Sequence, residues 1–89
     1  REDLFLVVAD HFLSDTASYA DIVLPAAMGA EMEDIILSWG HNYLTYNAKC
    51  VEPPGEALSN YEIFRRLAAR MGYTEPQFRW SDSECLEHY

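Results

Sequence analysis

The strongest constraint on the fold is the run Leu4-Phe5-Leu6-Val7-Val8-Ala9, which is apolar throughout and does not alternate with polar residues. A half-exposed strand alternates, because successive side chains point to opposite faces of the sheet. A strand from Leu4 to Val8 that is apolar on both faces belongs inside a parallel sheet covered by helices. The run ends at Asp10, and Ile22-Val23-Leu24, stopped by Pro25, reads as a second short buried strand. Between them, Ser14 or Asp15 can cap a short helix by accepting from its first free N–H groups. Strand, short helix, strand predicts a compressed parallel crossover of the usual right hand.

The same run is far short of the roughly 20 residues that a membrane span needs. Charge narrows the partners further. The 89 residues hold 15 Asp+Glu against 6 Lys+Arg, a net charge of −9. Such a chain does not bind a nucleic-acid backbone, which calls for a surplus of cations, nor an anionic membrane surface. With 49% apolar and 24% charged residues the composition is that of a folded domain. A chain of this length makes one domain, spanning residues 1–89, and buries only roughly 60–65% of its unfolded surface. It opens on Arg1 with no basic-plus-apolar leader, which reads as a cut piece or a processed product.

The best specified element lies in the second half. Ser59-Asn60-Tyr61-Glu62 fits a capping box, in which Ser59 accepts from the Glu62 N–H and Glu62 reaches back to the Ser59 N–H. Leu58 and Ile63 occupy the positions of a hydrophobic staple. Phe64, Leu67, Ala68 and Met71 form one apolar stripe, Arg65, Arg66 and Arg70 lie toward the end where the helix dipole favours cations, and Gly72 suits the left-handed residue after the helix. Ser81-Asp82-Ser83-Glu84 is a second capping box. The stripe after it, Cys85, Leu86 and Tyr89, reads as a helix truncated from about residue 81 onward. Earlier, Ile35 to Trp39 and Tyr43 to Tyr46 flank the turn signal Gly40-His41-Asn42 and predict a hairpin, and Glu52 to Glu56 is a surface loop.

Self-contained catalytic chemistry finds little support in the residues. Glu31, Glu33 and Asp34 read as a solvated acidic face, and the spacing of a calcium loop is absent. His11, His41 and His88 have no metal-ligand spacing and read as surface or packing histidines. Cys50 and Cys85 form no C-x-x-C and are expected as buried free thiols of a reducing compartment, a single bridge being the alternative. There is no nucleophile elbow and no phosphate loop. Trp39, Tyr43 and Tyr46 read as core or interface aromatics.

One place offers more. Asp10 follows the carboxyl end of a buried parallel-type strand, and Ser14-Asp15-Thr16 opens a helix directly after it. Ligands of open α/β sheets lie at that end of the strands, and a helix N-terminus presents free N–H groups to phosphate. A carboxylate there accepts from sugar hydroxyls or from the ring N–H and amino group of guanine. The residues alone leave this reading open beside a plainer one, in which Asp10 and Asp15 only cap the helix.

Val7-Val8-Ala9-Asp10-His11-Phe12-Leu13-Ser14-Asp15-Thr16-Ala17, then Ala20-Asp21-Ile22-Val23-Leu24-Pro25-Ala26, resembles the molybdopterin oxidoreductase family, which includes formate dehydrogenases, nitrate reductases and dimethyl sulfoxide reductases. Glu31, Val51 to Ala57, Ser59 to Phe64, Leu67-Ala68 and Met71-Gly72 continue the resemblance, which covers about Leu4 to Tyr73. It implies a piece of the large catalytic subunit, folded as part of a Rossmann-like α/β domain with a short parallel sheet and two or three helices. It also implies a molybdopterin guanine dinucleotide carrying Mo or W. The residues expected at that cofactor are Asp10, Phe12, Ser14, Asp15, Thr16 and Asn60. The family's metal ligand and Fe–S cysteines lie outside this stretch, so no catalytic residue or metal ligand is expected here, and the piece alone should be inactive. The implied partners are the remainder of its own polypeptide and Fe–S electron-transfer subunits, in the cytoplasm or alternatively the periplasm. Two other readings stay open: a stand-alone acidic α/β interaction module whose aromatics dock a basic partner, and a cofactor-less relative in a respiratory NADH dehydrogenase.

Overall fold

The apolar run becomes a parallel pair. The structure, a computed structural model that describes residues 2–88, has strand β1 at Val7–Asp10 and strand β2 at Ile22–Pro25. They pair in parallel with Val7 opposite Ile22 and Asp10 opposite Pro25. Ala26 forms a further parallel bridge with Leu58: the Ala27 N–H donates to the Leu58 carbonyl, and the Leu58 N–H to that of Pro25. The Ala26 N–H turns the other way, to the Asp10 carbonyl. The β2 segment therefore stands between β1 on one side and Leu58 on the other.

The short helix expected between β1 and β2 is a single 3-10 turn at Ala17–Tyr19. Thr16 occupies its cap position without a side-chain bond, and neither Asp15 nor Thr16 caps it. Ser14 comes nearest to the expected role: its Oγ accepts from the Ala17 N–H at 3.4 Å and its carbonyl from the Ser18 N–H at 3.0 Å. The turn is this short because only 11 residues separate Asp10 from Ile22. Ala17, a residue without a bulky side chain, is buried beneath it.

The hairpin forms around Gly40 as its turn residues predict. Strands β3 (Asp34–Leu37) and β4 (Leu44–Asn47) pair antiparallel, Asp34 opposite Asn47 and Leu37 opposite Leu44. The Asn47 amide donates to the carbonyls of Gly29 and Met32, tying the hairpin to a 3-10 turn at Gly29–Glu31. Helix α1 spans Asn60–Met71. Ser59 caps it by accepting from the Glu62 N–H at 3.2 Å, and Gly72 ends it at φ 82°, ψ 16°, in the left-handed region. Only half of the expected capping box is made, because the Glu62 carboxylate is drawn away to Arg65 and Arg66. Those two arginines accordingly serve ion pairs rather than the helix dipole, and Arg70 alone lies in the last turn. Helix α2 spans Asp82–Glu87 and has the complete box: Ser81 accepts from Glu84 N–H, and Glu84 accepts from Ser81 N–H at 2.8 Å. Of its expected stripe, Tyr89 lies outside the described residues.

The fold is thus mixed α/β, with a short parallel sheet and a few helices. Among the described residues the buried apolar ones are all alanines, Ala17, Ala27, Ala57 and Ala68. The larger apolar side chains are poorly covered. Val7 is 47% and Ile22 44% exposed, and on α1 Phe64 is 64% and Leu67 50% exposed. The expectation of a strand covered on both faces is therefore not met within these residues. Nor are Trp39, Tyr43 and Tyr46 buried in a core; all three are exposed. The radius of gyration, 15.3 Å, says the same. About 12 Å is usual for a compact domain of this length.

Candidate functional site

Three chain segments end together at one edge of the sheet. Since β1, β2 and the Leu58 segment all run parallel, their carboxyl ends deliver the loop after Asp10, the residues after Pro25, and Ser59-Asn60 to the same side. Asp10 organises the first of these. Its Oδ1 accepts from the backbone N–H of His11 at 2.7 Å and of Phe12 at 3.3 Å, and its Oδ2 accepts from the Ser14 hydroxyl at 2.8 Å. The loop is folded back over the carboxylate by these three donors, which is how a short polar side chain stabilises a turn. The Ser14 hydroxyl, then the Phe12 N–H, hold the Asp10 carboxyl below the usual carboxylate range against the smaller opposing effect of its burial. The negative charge is therefore fixed at the sheet edge at neutral pH.

This arrangement changes what Asp10 can offer. An ionised carboxylate has about two acceptor positions on each oxygen. Oδ1 has both of its positions filled, and Oδ2 keeps one. A guanine edge approaching Asp10 would meet one free acceptor rather than two. The neighbouring candidates are presented differently. Phe12 is 71% exposed, and Asp15, Thr16 and Asn60 are exposed with side chains that form no hydrogen bond among the described residues. Asn60 stands two residues past Leu58, at the first position of α1. The structure brings Asp10, Phe12 and Ser14 into one turn, sets Asp15 and Thr16 just after it, and leaves Asn60 on a separate segment of the same edge.

The helix N-terminus considered for phosphate at Ser14 to Thr16 is here the start of a 3-10 turn. A three-residue turn offers no helix dipole of consequence. The N–H groups from Ala17 on are occupied, Ala17 donating to Ser14 Oγ, Ser18 to the Ser14 carbonyl and Tyr19 to the Thr16 carbonyl, and Ser14 itself donates to the Phe12 carbonyl. What this edge offers a nucleotide is hydrogen-bond acceptors, hydroxyls and an aromatic face, which suit a base and a sugar better than a diphosphate.

His11 stands at the same edge. It is exposed, as a surface histidine should be, and its Nε2 lies 3.1 Å from the Ala27 carbonyl, on the segment after β2. An isolated histidine in a sequence carries no signal for such a contact, because Ala27 is 16 positions away and offers only its backbone.

Other chemistry-bearing residues are otherwise engaged. Glu31 accepts from the Met28 N–H, Glu33 from the Ser83 hydroxyl and Asp34 from the Ile35 N–H. No group of three metal-ligating side chains comes together among the described residues. Cys50 and Cys85 are free, but Cys50 is exposed and Cys85 half-buried, contrary to the expected burial of both. The His88 ring stacks on Trp80 at 4.1 Å and the His41 Nδ1 accepts from the Tyr43 N–H. No helix among the described residues is long and apolar enough to cross a membrane.

The family model for molybdopterin oxidoreductases matches residues 1–70. Among curated proteins, the probable oxidoreductase YoaE of Bacillus subtilis is 46% identical over 99% of this chain and 14% of its own length. The F420-dependent formate dehydrogenase subunit alpha of Methanocaldococcus jannaschii is 45% identical over 92% of this chain and 12% of its own. The nitrate reductase of Symbiobacterium thermophilum is 38% identical over 96% and 11%. The chain thus spans about a seventh or less of the length of these relatives.

Proposed function

The chain belongs to the molybdopterin oxidoreductase family, and from that premise we propose that it is a segment of a large catalytic subunit whose loop after β1 binds one end of a molybdopterin guanine dinucleotide. The observation that carries the proposal is the Asp10 turn: a carboxylate held ionised at the carboxyl edge of a parallel sheet, with one acceptor position open on Oδ2. Beside it Phe12 presents an exposed ring against which a base can pack, and Asp15 and Thr16 offer an acceptor and a hydroxyl to a ribose. Asn60 approaches from the start of α1 as a second polar group. In this reading Ser14 holds the carboxylate in place and touches the ligand less than its neighbours do.

When bound, the pterin and its Mo or W supply the redox chemistry, and the protein supplies position and electrostatics. These residues bind and orient one end of the cofactor; the metal ligand and the substrate pocket belong to other parts of the polypeptide, so the segment is inactive alone. Electron-transfer subunits fit the same reading, since three of the relatives are named as subunit alpha of formate dehydrogenases. The test is Asp10→Ala in the full-length natural protein, with pterin and metal measured per polypeptide. The expected outcome is reduced occupancy of both, and unchanged occupancy would refute the assignment.

A further inference from the structure

The three parallel segments end side by side, but the sheet's own hydrogen bonds stop at Ala27. Beyond it, the Asp10 loop and the segment after β2 are joined by a side chain. We propose that His11 is the positioning residue that fixes the spacing between the Asp10 loop and the Asn60 side of the cofactor site, an inference that rests on the dinucleotide reading above.

The argument starts from Ala27, which is only 4% exposed. Its N–H donates to the Leu58 carbonyl at 2.8 Å, so Ala27 is fastened to the segment that leads within two residues to Asn60. Its carbonyl points the other way and meets His11 Nε2 at 3.1 Å. The His11 backbone N–H in turn donates to Asp10 Oδ1 at 2.7 Å. A continuous path therefore runs from the Asp10 carboxylate through His11 and Ala27 to Leu58 and the head of α1. His11 adds a side-chain link between the two loops just past the Ala26 N–H to Asp10 carbonyl bond that ends their backbone pairing.

The chemistry sets the form of the histidine. A carbonyl only accepts, so Nε2 must carry the proton, either as the neutral Nε2–H tautomer or as the imidazolium. Ala27 is buried and its bond to His11 part-buried, so loss of the donor leaves an acceptor that only partly regains water. The link therefore holds geometry that a ligand bridging both loops would otherwise have to impose, and a preorganised site loses less freedom on binding.

The test uses the full-length natural protein with three variants: His11→Gln, His11→Glu and, as reference, Asp10→Ala. Gln and Glu match in size and differ in that only Gln carries an N–H donor for the Ala27 carbonyl. The measurement is the rate at which pterin is lost from purified protein on dilution, read by the fluorescence of released, oxidised pterin. His11→Glu should lose pterin about fivefold faster, the equivalent of one hydrogen bond of about 1 kcal/mol. His11→Gln should restore retention to within about twofold of the natural protein. Equal behaviour of the Gln and Glu variants, with Asp10→Ala depleted of pterin, would overturn the role of His11 and leave the dinucleotide reading standing. Full retention in all three variants would overturn both.

Discussion

Replacing Asp82 by alanine tests how the two helices are joined. Asp82 Oδ1 accepts from Arg65 Nη2 at 2.8 Å and Oδ2 accepts from Ser59 Oγ at 2.9 Å, so one carboxylate links the cap of α1, the middle of α1 and the start of α2. Arg65 also donates to the Trp80 carbonyl at 2.8 Å and to Glu62 at 2.7 Å. Burial opposes the Arg65 charge, but the hydrogen bonds to Asp82 and Glu62 outweigh it and raise its pKa further above neutrality. A hydrogen bond to a charged group contributes roughly 1.5–3 kcal/mol when shielded from water. Here the Arg65 and Asp82 side chains are 20% and 24% exposed, which moves the value toward the lower end. Arg65 keeps two partners after the substitution, while Ser59, 8% exposed, loses its acceptor. Together these give a local destabilisation of about 2 kcal/mol. The assay is native-state hydrogen exchange in the full-length natural protein. The Cys85 N–H, which donates to the Ser81 carbonyl at 3.0 Å, should exchange about 30-fold faster. The Ala26 N–H, bonded to the Asp10 carbonyl in the parallel sheet, should be unaffected. A change at Cys85 below about threefold, or an equal change at Ala26, would refute the reasoning: the first would mean the link carries no energy, the second that it is not local.

Two further outcomes are expected. Gly72→Ala forces a side chain into φ 82° and should cost about 1 kcal/mol, seen as a roughly fivefold faster exchange of the Tyr73 N–H that donates to the Ala68 carbonyl. Ser14→Ala removes the largest influence that lowers the Asp10 carboxyl, so its titration, followed by carbon-13 NMR of labelled aspartate, should move upward. The sign for stability follows. Because the folded pKa is lowered, the turn's stabilisation is complete above the ordinary carboxylate range and is lost as pH falls below it. In the Ser14 variant that loss should be smaller and should be complete at a higher pH.

The parts of this fold that sequence reveals are those decided within one turn of chain. Ser59 and Gly72 bracket α1 because capping needs only a side chain three residues from its partner and a residue that tolerates positive φ. The hairpin at Gly40 is local in the same sense. Where several partners compete, the pattern misleads. Glu62 satisfies the spacing of a capping box, yet two guanidinium groups on the same helix face outbid one backbone N–H for its carboxylate. The apolar stripe of α1 and the run through Val7 state that these surfaces avoid water, but pattern cannot say which segment covers them, and here Phe64 and Val7 stay largely open. At the site, Asp10 was legible because it follows a strand, whereas the filling of its oxygens and the reach of His11 to Ala27 depend on how the loop folds back.

Pro25 has an effect that reaches beyond its own turn. On the side of β2 that faces Leu58, pairing uses the carbonyl of Pro25 and the N–H of Ala27. Shifting the Leu58 segment two residues back along β2 would require an N–H from residue 25, which proline lacks. That shift would displace the whole of α1, and Asn60 at its head, about 7 Å back along β2. A single imino acid thus acts as a mechanical stop that forbids the misaligned fold and sets where the helix begins.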